Sequence, residues 1–186
     1  YLNECMRSDR KEIIDLAEKV KKGEVIKYEN LENGIEDYFA KGYQLLSSLR
    51  QGKFGVEKIN SLLSKNEGPI IITRSNPKMG FFNGEIGYLR NGEIMLGKKC
   101  FKKERVMDYE PAYCLSVHKS QGSEFEKVAL ILPKGSEVFG KELLYTGITR
   151  AKSEILIFSE EGVINECVKN STKRMSGIKE KLECNF

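Results

Sequence analysis

The stretch SVHKSQGSEFEKVALIL, residues 116–132, places a polar loop between two apolar runs. The loop contains His118, the only histidine in the chain. The runs on either side of it, AYCLSV and KVALIL, have the length and composition of buried strands. In open α/β sheets, ligands bind at the loops that follow the carboxyl ends of parallel strands. This stretch therefore predicts both a class of fold and the position of a site.

Strand and helix patterns alternate along most of the chain. Strands are expected in YQLLSSL, GPIIITRSNP, AYCLSV, KVALIL and EILIF, and helices in residues 9–23, 35–40, 56–65 and 138–152. A further basic helix is expected in the tail, STKRMSGIKEKLECNF. The alternation predicts an α/β fold whose parallel sheet is covered by helices on both faces.

Residues 83–111 have a different texture. The segment GEIGYLRNGEIML alternates apolar and polar residues around Asn91-Gly92, a dipeptide that favours a tight β-hairpin. We therefore expect a small antiparallel β insert at residues 83–111. The main domain is then made of residues 1–82 and 112–186.

Composition sets broad limits on function. The 186 residues include 31 Lys and Arg and 27 Asp and Glu, and the resulting net charge of +4 permits nucleic-acid binding without demanding it. Five widely spaced cysteines and one histidine do not form a metal-binding pattern, so we expect no metal site, reduced thiols and a cytoplasmic location. No apolar run approaches the roughly 20 residues that cross a bilayer. The chain begins at Tyr1 without a signal peptide pattern or an initiator Met, which we interpret as part of a longer protein.

Two polar segments carry candidate chemistry. Residues 120–123 offer hydroxyls, an amide and a glycine to an anion, while Glu124 suits a ribose hydroxyl or a metal-bound water. Arg150 ends an amphipathic helical pattern, and a guanidinium suits the charge that grows on a transferring phosphoryl group. Each has a plainer reading, since Arg150 could form a surface salt bridge and His118 could bond to the backbone of its own loop.

The two segments together resemble a known family. SVHKSQGSEF, followed further along by LLYTGITRA, is similar to motifs V and VI of superfamily 1 helicases. The resemblance is closer to the RecD family, the α chain of exodeoxyribonuclease V. Four segments resemble RecD segments and follow one another in the RecD order: YQLLSSLRQGKFGVEKIN, PIIITRSNPKMGFFNGEIGYL, SVHKSQGSEFEKVALILP and ELLYTGITRA. The resemblance covers most of the chain and thins at residues 24–39 and 91–110.

This resemblance implies an architecture and an activity. The chain looks like the second RecA-like motor domain of a 5′-to-3′ DNA helicase in recombinational repair, with an SH3-like insert. ATP and Mg²⁺ would be held mainly by the first motor domain of the same protein, since this sequence lacks the phosphate loop, and the chain alone would be inactive. The expected partner is single- or double-stranded DNA, and the resemblance leaves open whether RecB and RecC take part. The alternative is a non-enzymatic α/β scaffold that binds nucleic acid.

The resemblance also assigns roles on the nucleotide side. Arg150 matches the arginine finger of motif VI, which reaches the γ-phosphate of ATP, and Arg7 matches the motif IV arginine that senses the same phosphate. Many relatives have a tyrosine that stacks on adenine just before this arginine, and here Met6 stands in its place. A methionine stacks less tightly on a base than a tyrosine, so this departure weakens the support for the base contact and for the role assigned to Arg7.

Motif V would touch both the nucleotide and the DNA. By resemblance, the residues on its nucleotide side are Gln121, Gly122 and Glu124. The residues facing single-stranded DNA are His118 and Ser120, joined by Thr73 and Arg74 after the strand PIII.

Overall fold

The computed structural model describes residues 11–32 and 34–170. In chain order these residues form α1 (Lys11–Lys22), β1 (Glu29–Asn30), α2 (Asp37–Ala40), β2 (Gln44–Ser47), α3 (Val56–Leu63), β3 (Gly68–Ile72), β4 (Ile86–Arg90), β5 (Glu93–Leu96) and β6 (Lys99–Lys102). They continue with β7 (Tyr109–Pro111), β8 (Cys114–Ser116), β9 (Phe125–Leu132), α4 (Gly140–Ile148), β10 (Ala151–Ser159) and α5 (Val163–Lys169). The first two residues of the helix expected at 9–23 and the expected helix in the tail lie outside the described residues. None of the described helices is long and apolar enough to span a membrane.

The larger sheet is parallel throughout, with strand order β1-β10-β9-β2-β8. Its register brings Ile157, Leu130, Leu46 and Leu115 side by side across four strands. All four side chains belong to one buried cluster. The apolar runs read from the sequence therefore form the centre of the fold.

Both faces of this sheet are covered by helices. Successive side chains of a strand point to opposite faces, so neighbouring residues of one strand pack against different helices. On β9, Leu130 packs into a cluster with α1, α4 and α5, while Ala129 and Ile131 belong to a second cluster with α2 and α3. Burying a leucine as fully as Leu130 contributes about 1.5 to 3 kcal/mol. The expected α/β fold with helices on both faces is confirmed.

The smaller sheet is antiparallel, with strand order β6-β5-β4-β3-β7. It encloses a core of its own, formed by Ile70, Ile72, Phe81, Leu89, Ile94, Leu96 and Val106. Asn91 and Gly92 join β4 to β5 with φ angles of 51° and 75°, and two positive φ angles are what a type I′ hairpin requires. The hairpin read from the sequence is confirmed.

One strand was expected in the wrong sheet. We predicted GPIII as part of the main α/β domain, but β3 pairs antiparallel with β4 and β7. The reason is its burial on both faces, since Ile70 and Ile72 fill the core of the small sheet and Ile71 packs into the core of the large one. Antiparallel pairing thus begins at Gly68, ahead of the predicted insert boundary at residue 83.

Hydrogen bonds join the two sites where the chain passes between the sheets. The backbone N–H of Ala112 donates to the carbonyl of Pro69 at 2.9 Å, and the hydroxyl of Tyr113 donates to the carbonyl of Glu67 at 2.8 Å. The chain therefore leaves the large sheet and returns to it at neighbouring positions.

Asn60 of α3 holds the return from the small sheet. Its amide nitrogen donates to the carbonyls of Pro111 at 3.0 Å and Cys114 at 2.9 Å, and its amide oxygen accepts from the backbone N–H of Cys114 at 2.8 Å. Among the described residues β8 is an edge strand, so Cys114 pairs with β2 on one side and meets Asn60 on the other. The side chain of Asn60 takes the place of the missing strand.

Candidate nucleic-acid interface

The loop of residues 117–124 follows β8 and leads into β9, at the carboxyl edge of the parallel sheet. Ser120 holds it together from inside. The hydroxyl of Ser120 donates to the carbonyl of Val117 at 2.7 Å, and its backbone N–H donates to Ser116 at 3.0 Å. Ser120 is completely buried, so the structure does not bring its side chain to the surface that His118 occupies.

The residues expected to face the nucleotide lie on the outer side of this loop. Gln121 is exposed, and Gly122 has a φ of +88° with no atom within 4 Å of the position that a Cβ would take. Glycine is favoured at position 122 because of this positive φ angle, since a Cβ atom would meet no neighbouring atom there. Glu124 lies 3.5 Å from the ammonium of Lys152. This side of the loop is open and could accept a polar ligand.

Arg150 lies directly after α4 and is only 3% exposed. Its guanidinium donates to the carbonyl of Thr146 at 3.1 Å and to the carbonyl of Ser123 at 3.0 Å. The backbone carbonyl of Arg150 accepts from Phe125 at 2.8 Å. The surface position assumed in the plainer reading of Arg150 does not fit this burial. Instead, Arg150 connects the end of α4 to the polar loop.

His118 separates two cavities. Its ring is exposed and lies edge-on to Phe139, with 5.8 Å between the ring centroids. One cavity, of about 300 Å³, extends from His118 past Gln121 to Thr146 of α4. The other, of about 290 Å³, lies between the large sheet and the small one. We call the second of these the cleft.

Two ion pairs border the cleft. Arg50 Nε lies 2.7 Å from Glu57 Oε1, and Lys119 Nζ lies 2.7 Å from Glu110 Oε2. The hydrogen bond and the charge of Glu57 raise the pKa of the Arg50 guanidinium, and the charge of Glu110 adds to this effect. Since Glu110 belongs to β7 and Lys119 to the polar loop, their pair connects the two sheets across the cleft.

Thr73 lines a further cavity that the ion pair of Lys119 and Glu110 also lines. It is half-buried, its backbone N–H donates to Asp108 at 2.9 Å, and it borders a cavity of about 270 Å³ with Lys119 and Glu110. Arg74 is exposed and follows Thr73 directly.

The structure thus gathers two of the four expected DNA contacts, His118 and Thr73, around Lys119. Arg7 and Met6 lie outside the described residues. Sequence reasoning missed Arg50, Lys119 and their acidic partners, because nothing in the spacing of these residues signals that the two sheets bring them together.

Comparison with known proteins identifies the segment that carries this loop. Residues 111–157 match the family model of the UvrD-like helicase C-terminal domain. The chain is 33% identical over 159 residues to the RecBCD enzyme subunit RecD of Haemophilus influenzae, and 35% identical over 162 residues to that of Buchnera aphidicola from Acyrthosiphon pisum. These alignments cover 75% and 70% of the chain, and 25% and 27% of the relatives. The chain therefore spans about a quarter of the length of these relatives.

A solved structure supports the same fold. Bacteroides Pif1 bound to single-stranded DNA superimposes with a TM-score of 0.59 at 13% identity, over 96% of this chain and 55% of Pif1. At this identity the likeness concerns the fold alone, a RecA-like sheet with an antiparallel sheet beside it. Residues 111–157 thus match the UvrD-like helicase C-terminal domain, and the chain is a homologue of part of the RecBCD enzyme subunit RecD.

Proposed function

We propose that the chain is the second motor domain of an ATP-dependent DNA helicase, which unwinds DNA in the 5′-to-3′ direction during recombinational repair. One observation carries the proposal: a single polar loop connects a buried arginine on one side to a cleft bordered by cations on the other. A translocating motor needs such a connection, because nucleotide turnover has to move the protein along a strand. Residues 83–111, with β3, would be the insert of this motor domain.

The nucleotide side would be completed by another part of the protein. ATP and Mg²⁺ would be held mainly by a first motor domain, and Arg150 would supply the arginine finger. A γ-phosphate would compete for this guanidinium with the carbonyls of Ser123 and Thr146, which accept from it in this structure. Gln121, Gly122 and Glu124 would face the same nucleotide, and Arg7 is proposed to assist from the N-terminal segment.

The DNA side would be the cleft. Arg50 and Lys119 are cations that a phosphate could reach, and they join the contacts expected from His118, Thr73 and Arg74. Contacts to phosphates carry no sequence information, which suits a motor that crosses every sequence. Ser120 is proposed to shape the loop and not to touch the strand.

Coupling between the two sides would follow from the loop. The carbonyl of Ser123 accepts from Arg150, and Lys119 and His118 lie a few residues earlier on the same loop. Withdrawal of Arg150 from Ser123 would free the loop to shift His118 and Lys119 relative to the strand. The proposed partners are therefore DNA and the first motor domain, with RecB and RecC where the protein acts within that complex.

ATP hydrolysis tests the proposal directly. We expect the isolated chain to hydrolyse no ATP, because its 186 residues lack a phosphate loop, while the full-length protein hydrolyses ATP when single-stranded DNA is added. A steady-state ATPase assay of both proteins, with and without an oligonucleotide, measures this. DNA-stimulated turnover by the isolated chain contradicts the division of the site. A full-length protein that binds DNA without any turnover supports the alternative, a non-enzymatic scaffold.

The salt dependence of DNA binding tests the cleft. Each cation that binds a phosphate of a single strand contributes about 0.7 to the slope of log affinity against log salt. We expect Lys119→Gln and Arg74→Ala in the full-length protein to flatten this slope by about that amount each. His118→Ala should weaken binding or uncouple turnover from movement with little change of slope. Fluorescence anisotropy on an oligonucleotide, across a salt series, measures these slopes.

Glu110 provides an internal check, because it competes with phosphate for Lys119. Glu110→Gln should tighten binding, by up to about fivefold for an exposed pair, and this gain should vanish when Lys119→Gln is also present. Lys27→Gln, an exposed lysine that borders neither cavity, serves as the control. Equal slopes in Lys119→Gln, Arg74→Ala and wild type would exclude the cleft as the strand site.

A further inference from the structure

Positive charge is concentrated at one edge of the small sheet. The segment KKCFKKER, residues 98–105, has five cations and one carboxylate. Its local charge of +4 equals the net charge of the entire chain, so the other residues are balanced. This excess belongs to β6, to Lys98 just before it and to the turn that follows it.

Four of these cations are exposed and form no ion pair within residues 11–32 and 34–170: Lys98, Lys102, Lys103 and Arg105. We call them the edge cations. Lys99 differs, because its ammonium donates to the carbonyl of Gly80. Glu93 is the acid nearest in register, opposite Lys102, and it accepts a hydrogen bond from Cys100 at 3.4 Å. The edge cations are therefore available to an external anion.

None of the edge cations borders the cleft. β6 and β7 are the two outer strands of the small sheet, and Glu110 of β7 borders the cleft. Lys103 borders another cavity, of about 200 Å³, together with Lys65, Tyr109 and Pro111, and Pro111 also borders the cleft. A strand bound in the cleft would thus leave the β6 edge free for another part of the same DNA.

Composition favours a phosphate backbone over a protein surface. Three of the four edge cations are lysines, a residue depleted from protein interfaces, while phosphate backbones are bound by clustered lysine and arginine. Lysine on an edge strand also prevents pairing with other chains. Of the four edge cations only Lys102 lies within β6, so protection of the strand edge does not account for Lys98, Lys103 and Arg105.

We propose that the edge cations bind the phosphate backbone of duplex DNA outside the cleft. The proposal rests on the proposed function, because it takes DNA as the substrate. It adds a second contact surface, on the small sheet, for the part of the substrate that is still double-stranded.

The test compares two DNA probes on the full-length protein. One probe is a short single strand, and the other is the same strand extended by a duplex of about 20 base pairs, long enough for two helical turns. In the variant with all four edge cations replaced by Gln, the salt slope for the extended probe should fall by about 0.9 for each lost duplex phosphate contact, up to about 3.6. The slope for the single strand should not change.

A matched variant replaces four exposed lysines in α1 and just after it, Lys11, Lys19, Lys22 and Lys27, by Gln. It loses the same charge and should leave the difference between the two probes unchanged. Unchanged slopes on both probes in the edge variant, or equal losses on both, would overturn the proposal. The proposal also fails if the edge variant keeps its affinity for both DNA probes but loses a protein that co-purifies with the wild type, or begins to self-associate. If the wild-type protein binds single strands and hydrolyses ATP while the edge variant has no effect, only this inference fails and the proposed function stands.

Discussion

Replacing Arg150 by alanine in the full-length protein is expected to lower DNA-stimulated ATP turnover by about 10³- to 10⁵-fold, which corresponds to about 4 to 7 kcal/mol of activation free energy. An arginine finger stabilises charge that exists only in the transition state, so nucleotide binding should persist. Single-turnover kinetics measures the rate of ATP hydrolysis, and equilibrium titration measures the affinity for the nucleotide, both at saturating DNA.

The buried contacts of Arg150 suggest a competing explanation, in which it merely fixes the loop through Ser123. In that case Arg150→Ala should lower DNA affinity and thermal stability together with turnover. Arg50→Ala is the matched control, since it also removes an arginine but borders the cleft, and at saturating DNA it should stay within about fivefold of wild type. Turnover in Arg150→Ala at half the wild-type rate would exclude the arginine finger.

The largest expected loss of stability comes from Asn60→Leu. This change removes the side-chain partners of the Cys114 backbone N–H and of the carbonyls of Pro111 and Cys114. The two groups on Cys114 are buried, and each buried polar group left without a partner costs about 1 to 3 kcal/mol, so we expect the free energy of unfolding to fall by about 2 to 6 kcal/mol. Urea unfolding measures the total, and hydrogen exchange at the amides of β8 locates it.

Two neighbouring variants sharpen this test. Asn60→Asp keeps the oxygen that accepts from Cys114 but places a second carboxyl oxygen against the carbonyls of Pro111 and Cys114, so at neutral pH it should be at least as unstable as Asn60→Leu. Ser61→Ala removes an exposed hydroxyl that donates to Lys58, and it should stay within about 0.5 kcal/mol of wild type. An Asn60→Leu protein as stable as the Ser61→Ala protein would show that water replaces the lost bonds.

The sequence was sufficient for the parallel sheet, because strands such as KVALIL are apolar on both faces and alternate with helices. It failed at β3 for the same reason. Ile70, Ile71 and Ile72 form a continuous apolar run, and only the three-dimensional structure reveals that the run divides between two different cores. Periodicity reports burial on both faces of a strand, but it does not report which strands are its neighbours.

The site shows a similar limit. The polar loop could be found because its polar residues are adjacent in sequence, and Arg150 because it ends an amphipathic helical pattern; the loop lies at the expected edge of the sheet. The burial of Ser120 could not be read, since a serine in a polar loop has the same composition signal whether its hydroxyl faces solvent or the backbone. The pair of Lys119 with Glu110 depends on how the two sheets meet, which no local pattern encodes.

The hydrogen bond between Ala112 and Pro69 has a consequence for how such a protein could be recombined. Because the ends of the small sheet's segment lie side by side, a short turn could join them at little cost in closure entropy. From that segment, the core of the large sheet receives Ile71 and part of Ile86. The small sheet is therefore a segment that could be exchanged between related proteins, by evolution or by design, if the recipient keeps a pocket for the side chain of Ile71.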